Sequence, residues 1–203
     1  MTDEPRQRSD ARDNRARILA VARAAFAAEG LDVPMRELAR RAGVGPATLY
    51  RHFPTKEALL ATAFAEPMAL CSSIVEEGLA AADPWDGFRL VIEKLMALHA
   101  RDRGFARAFT SRGQDYFAAD RDRTVRLLLH LIRRAKRSGD LRRDFVFEDV
   151  VLALMANDGI RADSEAARAA ASRRLAALML QSFRASPKPA KLPPPARLPL
   201  TAR

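Results

Sequence analysis

Residues 35–56, MRELARRAGVGPATLYRHFPTK, decide the fold. Met35 to Ala42 reads as a short helix whose inner face carries Leu38, Ala39 and Ala42. Gly43-Val44-Gly45 is a corner: Gly43 suits the left-handed residue that ends a helix, Gly45 serves as an N-cap, and Pro46 fits the first position of the next helix. That second helix is about two turns long, and its inner face is narrow, because only Leu49 and Phe53 lie four apart along it. Ala47, Thr48, Tyr50, Arg51 and His52 are left on the outside. Two short helices joined by a tight glycine turn form a helix-turn-helix, with a second helix sized for the DNA major groove. The same pattern also describes an ordinary helical hairpin with a solvated polar side.

The residues Gly43-Val44-x-x-Ala47-Thr48-Leu49-Tyr50-Arg51-His52-Phe53, followed by Lys56-Glu57-Ala58-Leu59, resemble the DNA-binding signature of the tetracycline-repressor (TetR) family of transcriptional regulators. The resemblance runs from about Arg15 to Leu60. Beyond it only the helical layout is similar. One departure is Gly45, where many members carry a serine-like cap, a change worth a few tenths of a kcal/mol at most. The resemblance implies base-facing positions for Arg36, Ala47 and Arg51, with Pro46 at their rim. An arginine can fork onto guanine N7 and O6 for about 1–3 kcal/mol of discrimination, and an alanine methyl suits thymine. It also implies that Thr48, Tyr50, His52 and Lys56 grip phosphates, which sets register without reading sequence. Lys56 opens the following helix, where free backbone N–H groups favour an anion.

A chain of 203 residues with 48% apolar and 30% charged residues can bury a substantial core. Its single cysteine, Cys71, rules out an internal disulfide and a cysteine-built zinc site, and suits a reducing cytosol. No apolar run approaches the roughly 20 residues of a membrane span, and the N-terminus is no signal peptide, so a cytoplasmic protein is expected. The net charge is +10, unevenly spread. Residues 1–60 hold 11 basic against 8 acidic side chains, residues 61–100 hold 2 against 6, and residues 101–203 hold 22 against 11. Most of the excess lies outside the helix-turn-helix, so it speaks for solubility and long-range attraction to DNA rather than for base reading.

Four parts are expected: a flexible arm over 1–12, a DNA-binding domain over 13–60, a helical effector-binding and dimerisation domain over 61–185, and a Pro-rich basic tail over 186–203. The expected fold is all-α with about nine helices, three of them in the DNA-binding domain. Arg6, Arg8 and Arg12 of the arm are within reach of DNA or simply solvated. From Asp13 a helix carries Ile18, Leu19, Ala22, Ala25 and Phe26 and ends at Gly30. Thr55 caps a helix beginning at Lys56, and Pro67 predicts a kink or break in it. Asp83-Pro84-Trp85-Asp86 starts another helix, running to about Asp102. Gly104 opens a shorter one with Phe105 and Phe109, Tyr116 and Phe117 fall on a loop, and a longer helix follows from Asp120 to Ser138.

Trp85, Phe88, Met96, His99, Phe105, Phe109, Tyr116 and Phe117 are candidate linings of a small-molecule pocket, mostly apolar with a few polar groups. Each aromatic also fits an ordinary core position, and spacing does not separate the two. His99, Tyr116, Gln114 and Arg112 are candidate orienting groups. Two apolar stripes close the domain, and the resemblance makes them a dimer surface, a four-helix bundle with a second copy. Its candidate residues are Phe147, Val151, Leu154, Met155, Leu175, Leu178, Met179 and Phe183. Residues 186–203 are Pro-rich and should be disordered or polyproline-like.

No enzyme is expected. His52, His99 and His130 are scattered, and there is no metal cluster and no phosphate-binding glycine loop, so neither a metal nor a cofactor is called for. The function expected is that of a sequence-specific, homodimeric regulator, a repressor released from a palindromic operator on double-stranded DNA by a small-molecule effector, with no membrane partner. The rival from another class is a nonspecific, architectural DNA-binding protein, which would show steep salt dependence and little sequence preference.

Overall fold

Ile18, Ala22, Ala25 and Phe26 recur at helical spacing and are buried on one face of the first helix, α1 (Glu4–Glu29). The computed structural model describes residues 4–110, 118–187, 192–195 and 198. Nine helices lie among the described residues. After α1 come α2 (Met35–Arg41), α3 (Pro46–His52), α4 (Lys56–Ala80) and α5 (Pro84–Arg101). Then follow α6 (Arg103–Thr110), α7 (Ala118–Ser138), α8 (Phe147–Asp158) and α9 (Glu165–Phe183). α1 packs on α2, α4 and α6, and α2 on α3; α4 also lies against α5 and α7, while α8 and α9 flank α5.

Several boundaries differ from expectation. The first helix starts at Glu4 rather than Asp13, so residues 4–12 continue α1 instead of forming an irregular arm. Pro5 falls in its first turn, where a proline is tolerated, and the arginine, glutamine and alanine that follow favour a helix. In the tail, Leu192–Pro195 and Leu198 take no regular secondary structure, yet Leu198 is partly buried against the core. Tyr116 and Phe117, with Arg112 and Gln114, lie outside the described residues.

The most informative difference is at Pro67. α4 runs unbroken through it. A proline has no N–H to give the carbonyl four residues back, here that of Ala63. The Ala63 oxygen instead accepts a 2.7 Å hydrogen bond from Arg23 Nε of α1. The carbonyl that Pro67 sets free is therefore satisfied from another helix, and the bond fastens α1 to α4.

α4 is also long and apolar enough, by length and a mean hydropathy of 1.6, to cross a membrane, against the sequence expectation. Its apolar residues serve helix packing: Leu59, Leu60, Phe64, Met68 and Val75 are all buried between neighbouring helices. Near its end the approach to α5 is very close. A Cβ added at Gly87 would meet the Gly78 carbonyl oxygen at 2.1 Å, so the crossing requires a glycine there. Arg134 of α7 then donates to the carbonyl oxygens of Leu79 and Ala81, capping the C-terminus of α4.

The core holds two clusters of rings. One runs Phe26–Phe64–Phe105, with centroids 6.2 and 6.1 Å apart, and continues from Phe105 to His99 and Phe109 at 5.5 and 5.7 Å. The other joins Trp85, Phe88, Phe145 and Phe183 at the far end.

Candidate nucleic-acid interface and internal cavity

The turn of the helix-turn-helix follows from Gly43. With φ at +63° it ends α2 in the left-handed region, its N–H reaching the Arg40 carbonyl and that of Val44 reaching Ala39. Gly45, extended, precedes Pro46 at the start of α3, and the Gly45 carbonyl accepts from Thr48 and Leu49. Leu49 and Phe53 are buried against Leu38 and Ala39, which leaves the opposite side of α3 outward.

That outward side gathers the residues read from the sequence. Arg36, Pro46, Ala47 and Arg51 are exposed, Tyr50 is 44% exposed, and Thr48, His52 and Lys56 are half-buried at the edges. The basic residues divide into two sets. Arg40 and Arg41 are held by Glu37, through Arg40 Nη2 to Oε1 and Arg41 Nε to Oε1, both at 2.7 Å, and Arg41 also pairs with Glu29 of α1. Those two guanidinium groups keep the Glu37 carboxyl well below its usual range, at about 2. Arg36 and Arg51, by contrast, form no ion pair with any described residue, and both point to solvent. Two arginines are locked into the scaffold and two are left available.

His52 is half-buried at the edge of this face. Burial, then the charges of Arg51 and Arg15, pushes its imidazole below the ordinary value, and its Nε2 is buried with no partner among the described residues. Arg15, which the sequence reading did not single out, lies 4.8 Å from the Phe53 ring centroid and adds a cation at this edge. No local spacing signalled it, since it comes from α1.

Thr55 caps α4, its Oγ1 accepting from the Ala58 N–H at 3.1 Å, so Lys56 sits on a first turn with free N–H groups. Through α4 the head meets the second candidate site.

A cavity of about 20 Å³ lies between α4, α5, α7 and α8, with Phe109 of α6 in its wall. Its walls are aliphatic and aromatic, chiefly Leu95, Leu128, Phe147, Val150, Val151 and Leu154. Among the described residues three polar side chains line it: Cys71, His99 and Thr124. The Thr124 hydroxyl is already engaged, 2.7 Å from Ser72 Oγ and 2.9 Å from the Asp120 carbonyl. The Cys71 thiol, pushed up to about 12 by burial, is neutral. His99 is 1% exposed, and neither ring nitrogen has a partner among the described residues. Burial alone drops its imidazole to about 4, so it too is uncharged at neutral pH.

Of the pocket candidates, His99 and Phe109 reach this cavity. Trp85 and Phe88 do not; Trp85 packs on Phe88, which meets Phe145 edge-on at the far end of the bundle. Met96 and Phe105 are fully buried core residues beside it. Phe105 spans the gap between Phe64 and His99.

The candidate dimer residues also split. Val151 and Leu154 are buried within the protomer and line the cavity, so they are not available to a second copy. Phe147 lines the cavity as well, and Phe183 packs 4.8 Å from Phe145. Both are half-buried. Met155 and Leu178 are exposed, at 39% and 52%, with Leu175 and Met179 half-buried beside Leu178 on α9. Leu152, absent from the sequence-derived set, is the most exposed of the large apolar residues at 54%. On α8 the side that carries Val151 and Leu154 is buried, and Leu152 and Met155 are exposed on the other.

The model of bacterial regulatory proteins of the tetR family matches residues 18–63. A TetR transcriptional regulator from Streptomyces coelicolor is similar over 85% of this chain and 99% of its own, with 32% identity and a TM-score of 0.53. The ketosteroid transcriptional regulator of Mycobacterium tuberculosis shares the fold over 85% of this chain and 95% of its own, at 17% identity and a TM-score of 0.66. The transcriptional regulator FadR of Bacillus subtilis, in complex with stearoyl-CoA, does so over 81% and 97%, at 19% identity and a TM-score of 0.58. No protein of curated function matches the chain.

Proposed function

This chain belongs to the tetR family of bacterial regulatory proteins, and from that premise we propose that it is a cytoplasmic, homodimeric repressor that leaves a palindromic operator when a small molecule binds. The observation that carries the reading is the division of arginines on the head. Arg40 and Arg41 are spent on Glu37 and Glu29, while Arg36 and Arg51 pair with no described residue and, like Ala47, are exposed on the helix-turn-helix. Unpaired guanidinium groups on a groove-sized helix suit base edges, with Tyr50, Thr48 and Lys56 placed around them for phosphates.

Two heads are needed for a two-fold site, with their recognition helices roughly 34–36 Å apart in successive major grooves. The partner surface we assign is the outer face of α8 and α9, with Leu152, Met155 and Leu178 at its centre. The effector site we assign is the cavity around His99. Ring contacts lead from it through Phe109, Phe105 and Phe64 to Phe26 of α1, and Arg23 ties that helix to α4. An effector that displaces Phe109 therefore pushes on the platform that carries the head, and it favours the state whose head spacing no longer fits DNA.

Selection of bound sequences from a random duplex pool, at near-physiological salt, tests the reading. It predicts enrichment of one palindrome. Binding with no enrichment that vanishes as salt rises would replace it with nonspecific, charge-driven attachment, for which the basic residues of 101–203 would be the source.

A further inference from the structure

The cavity's lining narrows what it can accept. A charged ligand group inside it would meet no opposite charge from the described walls, because no carboxylate, lysine or arginine lines them among the described residues. Burying such a group unpaired is expensive. A purely apolar ligand would leave His99 as it stands, fully buried with neither ring nitrogen partnered among the described residues. Buried polar groups are nearly always satisfied, and each exception calls for a partner. Thr124 is not the group in want of one, since Ser72 and the Asp120 carbonyl occupy its hydroxyl. The neutral imidazole offers one donor and one acceptor.

We propose that this cavity binds an uncharged, largely apolar small molecule bearing a single hydroxyl or carbonyl group, which hydrogen-bonds the His99 imidazole. The inference rests on the assignment of the cavity as the effector site and adds the chemistry of the effector. At about 20 Å³ the cavity has room for little more than one water. Anything larger enters by displacing a wall side chain. Phe109, whose ring stands 5.4 Å from His99, is the wall residue already in contact with the group that does the recognising.

Matched probes test this on the full chain, free of DNA, at pH 7. Three sets serve: toluene, benzyl alcohol and benzoate; cyclohexane, cyclohexanol and cyclohexanecarboxylate; hexane, 1-hexanol and hexanoate. The readouts are the shift in Tm and the 15N resonances of the His99 ring. In at least one set the alcohol should bind about five- to tenfold tighter than its hydrocarbon, the worth of one hydrogen bond, and move the ring resonances. The carboxylates should bind least. His99→Phe should abolish the alcohol's advantage while hydrocarbon binding survives, and His99→Gln should retain part of it, which guards against a variant that merely fails to fold.

Carboxylates binding tightest, or an advantage that persists in His99→Phe, would overturn the proposal. So would nine probes that shift nothing, which would leave the cavity as the seat of a bound water only. His99-dependent alcohol binding that does not release DNA would keep the site's chemistry and refute the effector role. Release by a charged compound indifferent to His99 would do the reverse.

Discussion

Tyr50 and Arg51 are neighbours on the exposed side of α3, and the account gives them different work. A tyrosine hydroxyl on a phosphate holds the head in place whatever the bases beneath it. Tyr50→Ala should therefore weaken binding by about tenfold on every duplex tested, with the ranking among sequences preserved, as read by fluorescence anisotropy on a set of single-base variants. A changed ranking would move Tyr50 to the base-reading group. At the other end of the same scale, His99 makes stability depend on pH. Its folded value, about 4, lies below the ordinary 6.5, so between these values the unfolded chain takes up a proton that the folded chain refuses. The contribution is complete above about 6.5 and declines as pH falls towards 4, at up to about 1.4 kcal/mol per unit and about 3 kcal/mol in all. Urea unfolding at pH 7.0 and 4.5 should show this loss in the wild type and a smaller one in His99→Phe. Equal losses would mean that His99 is protonated in the folded chain.

Among the elements, the head was the part most legible in the sequence, because its signals are local. Gly43, Pro46, Leu49 and Phe53 act within a few residues of one another, and each took the place its chemistry suggested. Pro67 shows where local reading stops. The proline rule predicts a kink or a break, and α4 does not break: the Ala63 carbonyl that Pro67 frees is taken by Arg23, 40 residues from it in the chain. The stripes of α8 and α9 show a related limit: periodicity reveals that a helix has an apolar face, not which neighbour covers it. Val151 and Leu154 face α5 and the cavity, and Leu152 is left outside. The Arg23 bond supports a double-mutant cycle. Arg23→Ala should cost about 1–3 kcal/mol in the wild type, since it orphans the Ala63 carbonyl. In a Pro67→Ala background it should cost much less, because the new N–H at position 67 can close the ordinary helical bond. Additive losses in chemical denaturation would show that the two residues are not coupled through Ala63.

At the scale of the whole molecule, one protomer presents one reading head and one unpartnered apolar face. Leu152 and Leu178 are more than half exposed, so a polar substitution there should leave the protomer's own stability within about 0.5 kcal/mol. In a dimer built on that face the same change places a charge in a buried seam. Leu152→Glu with Leu178→Glu should sediment as a folded monomer and lose affinity for the full palindrome while keeping weak binding to a half-site. A dimer that persists would put the partner surface elsewhere. The central claim is that residues 35–56 read base sequence, and it is tested most directly by comparing the complete base-preference profiles of wild type and Arg51→Ala at near-physiological salt. The account predicts that preference collapses at one symmetry-related pair of positions, by about 1–3 kcal/mol per half-site, with the rest of the profile intact. A profile that only scales down uniformly, or does not change, would contradict it.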